Sequence, residues 1–143
     1  MKVIAERVIA YLKADSTLTT LLGSVDNIFA SNLPEGDKRK DKYVTVPADL
    51  GEDGNNIPMQ SGDFTVEVAV SRKIPKAFSV CMEIAGRVDD LLNKGEAGIS
   101  TASWKIIHLL RVGSPTKGPM VDKEAGEVYL GLEYTFILDE STN

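Results

Sequence analysis

The sequence is short of most of what a small catalytic, secreted or DNA-gripping domain relies on. It holds one cysteine and one histidine in 143 residues. A lone cysteine excludes an intramolecular disulfide and suits a reducing compartment. One Cys and one His cannot assemble a zinc site of the usual ligand types. No apolar run approaches the roughly 20 residues of a membrane-spanning helix. The first segment, "MKVIAERVIAYLK", has charges inside its apolar pattern, so a signal peptide is not expected. Positive charge is also scarce: 16 Lys and Arg stand against 21 Asp and Glu, for a net charge of -5. That balance argues against a protein that holds nucleic acid by its phosphates.

What is present is ordinary globular material. Hydrophobic residues make up 43% and charged residues 26%, close to the averages for soluble domains. The length predicts one domain over 1–143. A chain of this size buries roughly 68–70% of its unfolded surface, enough to fold without a metal or disulfide.

Ile4, Val8, Tyr11 and Leu12 share one face at helical spacing. Asp15 reads as the N-cap of a second, short helix, "STLTTLLG", with Leu18, Leu21 and Leu22 on its apolar side and Gly23 as a left-handed stop. "NIF" is a brief extended step, Pro34 holds the residue before it extended, and "EGDKRKDK" is a solvated loop. A strand is predicted from Tyr43 to Leu50, with Pro47 suggesting a sheet edge or bulge. "GEDGNNIPMQSGD" is a long Gly-rich loop. In "FTVEVAVS", Phe64, Val66, Val68 and Val70 alternate with polar residues, as in a half-buried antiparallel strand.

The strongest helix signal spans Pro75 to Lys94, with Pro75 in its first turn and Gly95 as its stop. Its expected apolar stripe is Phe78, Cys81, Ile84, Ala85, Val88, Leu91 and Leu92. Trp104 to Val112 is β-rich, "GSPTKGPMVDKEAG" reads as a loop, and Val128, Leu130, Leu132, Tyr134, Phe136 and Leu138 alternate in a last strand. The order α, β, β, α, β, β predicts an α+β fold: an antiparallel or mixed sheet of about four main strands with two helices packed on one face.

No residue set reads as an active site. His108 lies mid-strand without an acid beside it in sequence, and a partly buried strand histidine is the favoured reading. Cys81 falls on the helix stripe, where packing raises a thiol pKa and leaves it inert. Asp49, Asp53 and Gly54 occupy the first, fifth and sixth places of a calcium loop, but Gln60 stands where a bidentate Glu is needed. "GSPTKGP" lacks the Gly-Lys order of a phosphate loop, and Pro119 offers no backbone donor. Asp89 and Asp90 are expected on a solvated helix face. No cofactor and no metal are expected. The three long loops, after Leu33, Leu50 and Val112, are the remaining peculiarity. Long loops on a plain scaffold carry recognition, which favours an assembly role. Asp37, Lys38, Arg39 and Lys40 in the first loop, and Glu52, Asp53 and Met59 in the second, are the candidate contact residues.

The succession "YLKADSTLTTLLG", "IF", "LPEG" and "YVTV" resembles the start of the tail terminator (tail completion, tail-to-head joining) family of long-tailed bacteriophages. The later order of strand, spaced-apolar helix, Trp-containing strand, long loop and alternating strand also resembles it, so the likeness runs over nearly the whole chain. The resemblance implies a virion structural protein without catalytic activity. It implies a hexameric ring that ends tube polymerisation and sits at the head-tail junction, assembled in the host cytoplasm. Implied partners are further copies of itself, the major tail tube protein and a head-side connector or neck protein. DNA would pass through without specific binding, which an acidic ring permits, and no membrane is involved. A ring protomer needs two different complementary surfaces, because its contact is heterologous and closes by rotation. Edge strands guarded by Pro47 and charged loops that order only on the tube end would keep it a monomer or weak oligomer in solution. A neighbouring neck or tail-tube component is the structural alternative, and a small nucleic-acid-binding module resting on Lys38, Arg39 and Lys40 the other.

Overall fold

A computed structural model describes residues 2–30, 41–47, 61–99, 105–112 and 119–139. Its elements run α1 (Lys2–Lys13), α2 (Ser16–Leu22), a 3-10 turn (Val25–Asn27), β1 (Ile28–Ala30), β2 (Lys42–Val46), β3 (Ser61–Ser71), α3 (Ala77–Leu92), α4 (Glu96–Ile99), β4 (Lys105–Arg111), β5 (Met120–Asp122) and β6 (Glu127–Asp139). The α+β class is as expected, but the sheet is larger. It has six strands in the order β1-β2-β3-β6-β4, with β5 also paired to β6. The two additional strands are three residues each, too short to show a period: β1 is the "NIF" step continued to Ala30, and β5 emerges from what reads as loop.

All pairings are antiparallel except β1 with β2, which is parallel. This moves β2 into the sheet interior. Pro47 does not guard an edge; it follows the last residue of β2, Val46, and the strand is shorter than the expected Tyr43 to Leu50. Proline ends the ladder there because it brings no N–H.

The alternation in β3 and β6 sorts as expected. Phe64, Val66, Val68 and Val70 face Tyr134, Leu132, Leu130 and Val128 in register, all buried under the helices. Phe64 stacks on Tyr134 at 5.6 Å between ring centroids. From α1 and α2, Ile4, Val8, Leu12, Leu18 and Leu22 join the same core, and from α3 so do Cys81, Ile84, Ala85, Val88 and Leu92. Each large side chain so buried contributes about 1.5–3 kcal/mol of transfer free energy. The helices thus cover one sheet face only.

The helix ends are set partly as the sequence suggests. The Asp15 carboxylate accepts the Leu18 N–H at 2.8 Å, and Gly23 adopts φ 89° and returns its N–H to Thr19 and Thr20 carbonyls. Asn27, buried, donates to the Leu22 carbonyl at 2.7 Å and satisfies another open end of α2. The long helix differs. It starts at Ala77 rather than Pro75, after Lys76 in the left-handed region at φ 58°. It ends at Leu92 with Asn93 as C-cap, and Lys94, not Gly95, takes the positive φ, 63°. Gly95 is required for another reason. A Cβ there would collide with the Leu91 carbonyl oxygen. Phe78, placed on the buried stripe by spacing, is 49% exposed: the buried stripe runs through Ala77, Cys81, Ile84, Ala85, Val88 and Leu92, and Phe78 lies about 100° round the helix from Ala77.

The corner between α3 and α4 closes the outer side of β4. The Lys94 N–H donates to the Leu109 carbonyl at 2.8 Å, and the Arg111 N–H donates to the Asn93 side-chain oxygen at 3.1 Å. Backbone groups that would otherwise invite another strand are spent inside the molecule.

Candidate assembly surfaces

With the helices on one face, the other face of the sheet is built from the alternate residues of the same strands. Its central rows follow from the register. Tyr43, Ala69, Tyr129 and Met120 lie side by side across β2, β3, β6 and β5. The next row carries Thr45, Glu67 and Gly131, and the row beyond holds Thr65 and Glu133. Ser71, Glu127 and Asp122 form the row on the other side.

Ala69 is 1% exposed although it points away from the helices. Its small side chain lets Tyr43 lie across β3, where the Tyr43 hydroxyl donates to Glu127 at 2.9 Å. Phe29 stacks behind Tyr43 at 5.5 Å. The aromatic pair therefore braces β1, β2, β3 and β6 together on the uncovered side. Glu67 is an exposed residue, yet crowding around its carboxyl pushes its pKa up, helped by the like charges of Glu127 and Asp122. Among the described outward positions of β2, β3 and β6 there are acids at Asp63, Glu67, Glu127 and Glu133 and no lysine or arginine.

The cations lie elsewhere. Arg72, Lys73 and Lys76 are all exposed in the turn from β3 into α3. The turn is held by the Arg72 N–H donating to the Gly126 carbonyl at 2.9 Å and by Lys73 N–H donating to the Ser71 hydroxyl at 3.3 Å. Beside it, Phe78 and Met82 stand on successive turns of α3, 49% and 44% exposed.

Asp89 departs from its expected solvated position. One of its oxygens accepts the Tyr134 hydroxyl at 2.9 Å, and the other accepts Arg111 Nη1 at 2.7 Å. Tyr134 is fully buried; burial first, then its bond to Asp89, pushes its hydroxyl pKa well above the ordinary range. This cluster pins α3 to β4 and β6. A second bridge pins α2 to α3: Arg87 donates from Nε to Asp15 at 2.9 Å and from Nη2 at 2.6 Å. Arg87 is the main reason that the Asp15 carboxyl pKa is lowered, against the opposing effect of burial. Asp90 remains exposed, as expected.

Cys81 is buried, and burial pushes its thiol up to about 11. It is a packing residue. His108 lies on β4 beside a register shift between Ile106 and His108, and its side chain is outside the described residues, as is Trp104. So are the candidate contact residues Asp37, Lys38, Arg39, Lys40, Glu52, Asp53 and Met59, and the calcium candidates Asp49 and Gly54. Among the described residues no three His, Cys, Asp or Glu side chains group as metal ligands, and no helix is long and apolar enough to cross a membrane. Sequence reasoning missed the basic turn, the acidic sheet face and the Asp89 cluster. Only the sheet face had a signal, in the acids alternating with buried residues.

No protein-family model matches the chain, and no curated protein matches it. A solved structure does. The fold is similar to that of a chain in the structure titled "Virion of native gene transfer agent (GTA) particle", with a TM-score of 0.64 and 17% identity, over 92% of this chain and 90% of that one. At that identity the likeness is one of fold.

Proposed function

We propose that this chain is a structural component of a phage-like virion, and specifically a tail terminator. In this reading it caps the tail tube as a hexameric ring, ends tube polymerisation and offers its other side to a head-side connector or neck protein. It performs no catalysis and carries no cofactor, and DNA passes through without being held. The observation that carries the reading is the fold match over 92% of the chain to a virion component. The resemblance of "YLKADSTLTTLLG…IF…LPEG…YVTV" to the terminator family supports the narrower assignment.

The physical features support a part made for assembly. The scaffold is braced on both sides, by the Asp89 cluster under the helices and by Tyr43 across Ala69 on the other side. The sheet face opposite the helices has no described covering element. The match names a whole particle, which equally suits a neck or tail-tube component, so the decisive experiment is genetic. In a host that produces the particle, loss of this gene gives overlong tubes if the chain is a terminator. Loss of a tube protein gives no tube, and loss of a neck protein gives normal tails without heads. Tails of normal length joined to heads would refute the terminator reading.

A further inference from the structure

We infer that two copies of this chain meet head to tail, with the basic turn Arg72–Lys73–Lys76 and the adjoining Phe78 of one copy seated on the acidic sheet face of the next. The inference rests on the ring reading and names the surfaces that would close it.

The occupant is argued from charge. The sheet face presents Asp63, Glu67 and Glu133 with no lysine or arginine among its described outward positions on the three central strands. Two such faces repel, which disfavours a face-to-face dimer. The turn presents Arg72, Lys73 and Lys76, all exposed, and two such turns repel as well. Among the described residues these two surfaces, one of each sign, leave the unlike pairing as the favourable one. Unlike pairing is heterologous by definition, and heterologous contacts build rings when the rotation closes. Apolar material lies at both sites: Phe78 beside the turn, and Met120 and Ile137, 56% and 43% exposed, on the outward face.

The size of the surface fits a contact that is weak alone. Strand β3 has 11 residues, or about 36 Å of sheet at ~3.3 Å per residue. With neighbouring strands about 4.8 Å apart, and β1, β2 and β5 only 3, 5 and 3 residues long, the outward face across β1, β2, β3, β6 and β5 measures about 550 Å². A stable interface buries about 800 Å² per partner, so a turn that covers part of this face falls below that. Such protomers stay largely apart in solution and associate where a template raises their local concentration.

The test is sedimentation of the full chain at low ionic strength, with two charge-reversed variants: Lys73→Glu/Lys76→Glu and Glu67→Lys/Glu133→Lys. All four side chains are exposed, and a thermal melt of each variant checks that it folds. The wild type should self-associate with rising concentration, and 0.5 M salt should weaken this, since the Debye length falls below about 10 Å. Each variant alone should associate at least tenfold more weakly. An equal mixture should regain association, because each variant then supplies the sign the other lacks. The inference is overturned if the wild type stays monomeric to millimolar concentration, if either variant associates as the wild type does, or if the mixture fails to recover. Particle production separates this outcome from the underlying reading. Normal tails with either variant, alongside overlong tubes on gene loss, sink the contact and leave the terminator role standing. Normal tails on gene loss sink the terminator role whatever the sedimentation shows.

Discussion

Tyr134→Phe removes one oxygen from a ring that is otherwise retained, and the consequence can be worked through. The ring is fully buried and stacks on Phe64, so phenylalanine fills the same space. What is lost is the hydrogen bond to Asp89 at 2.9 Å. A bond to a charged acceptor is worth about 1.5–3 kcal/mol, and ~2 kcal/mol is the expected cost. A chain of 143 residues unfolds with an entropy of about 300 cal/mol/K, so the melting temperature should drop by about 7 °C. Asp89→Ala strands the Tyr134 hydroxyl and the Arg111 guanidinium together. The Asp89 and Arg111 side chains keep 18% and 26% of their exposure, so water relieves part of the penalty and about 2–3 kcal/mol is expected. The double variant should cost about 3 kcal/mol rather than the ~4–5 of the sum, a coupling of about 1–2 kcal/mol typical of direct contact. Circular dichroism melts and urea titrations of the four proteins form the cycle. The wild type should also lose stability as pH rises past 10.0, the ordinary tyrosine value, because only the unfolded chain then releases that proton. The phenylalanine variant lacks this contribution. A Tyr134→Phe melt within 1 °C of wild type, or additivity within about 0.3 kcal/mol, would refute the account of this cluster.

Other outcomes follow from single sites. Asp15 has its carboxyl pKa lowered, so its stabilisation is present above the unfolded value of 3.8 and fades as pH falls through the folded one; Asp15→Asn should flatten the acid limb of stability against pH. Glu67 is the opposite case. Its pKa is raised above 4.5, so the fold is best served when it is protonated and loses stability as pH climbs through that raised value. Glu67→Gln should therefore melt higher than wild type at pH 7 and equally at pH 3. Gly95→Ala places a methyl against the Leu91 carbonyl, and a loss of about 2 kcal/mol is expected in urea titration. The Cys81 thiol, held to about 11, should resist a thiol reagent at pH 7 in the native protein and react at once in denaturant.

The elements readable in the sequence are those whose causes are local. The capping bonds of Asp15 and Gly23 reach no further than four residues, and each cap sits where the sequence suggests. The alternation in β3 and β6 requires only that one face be buried. The boundaries of α3 were not readable, since Lys76 and Lys94 adopt left-handed conformations that lysine does not advertise. The environment of Asp89 was hidden for a different reason. Its partners are 22 and 45 residues away in sequence, and helical spacing alone placed it toward solvent. β1 and β5 carry no period in three residues. The candidate surface was the least legible part, because it is defined by which side of the sheet the helices leave uncovered, and the loops to which contact was assigned lie outside the described residues.

The Lys94–Leu109 hydrogen bond bears on cooperativity. The end of α3 and the outer strand β4 complete one another's backbone bonding. A half-folded form with the helices docked and β4 loose forfeits both bonds, worth about 1 kcal/mol each. The domain should unfold as a unit, with amide exchange at Lys94 and Arg111 slowing to the rate of global opening.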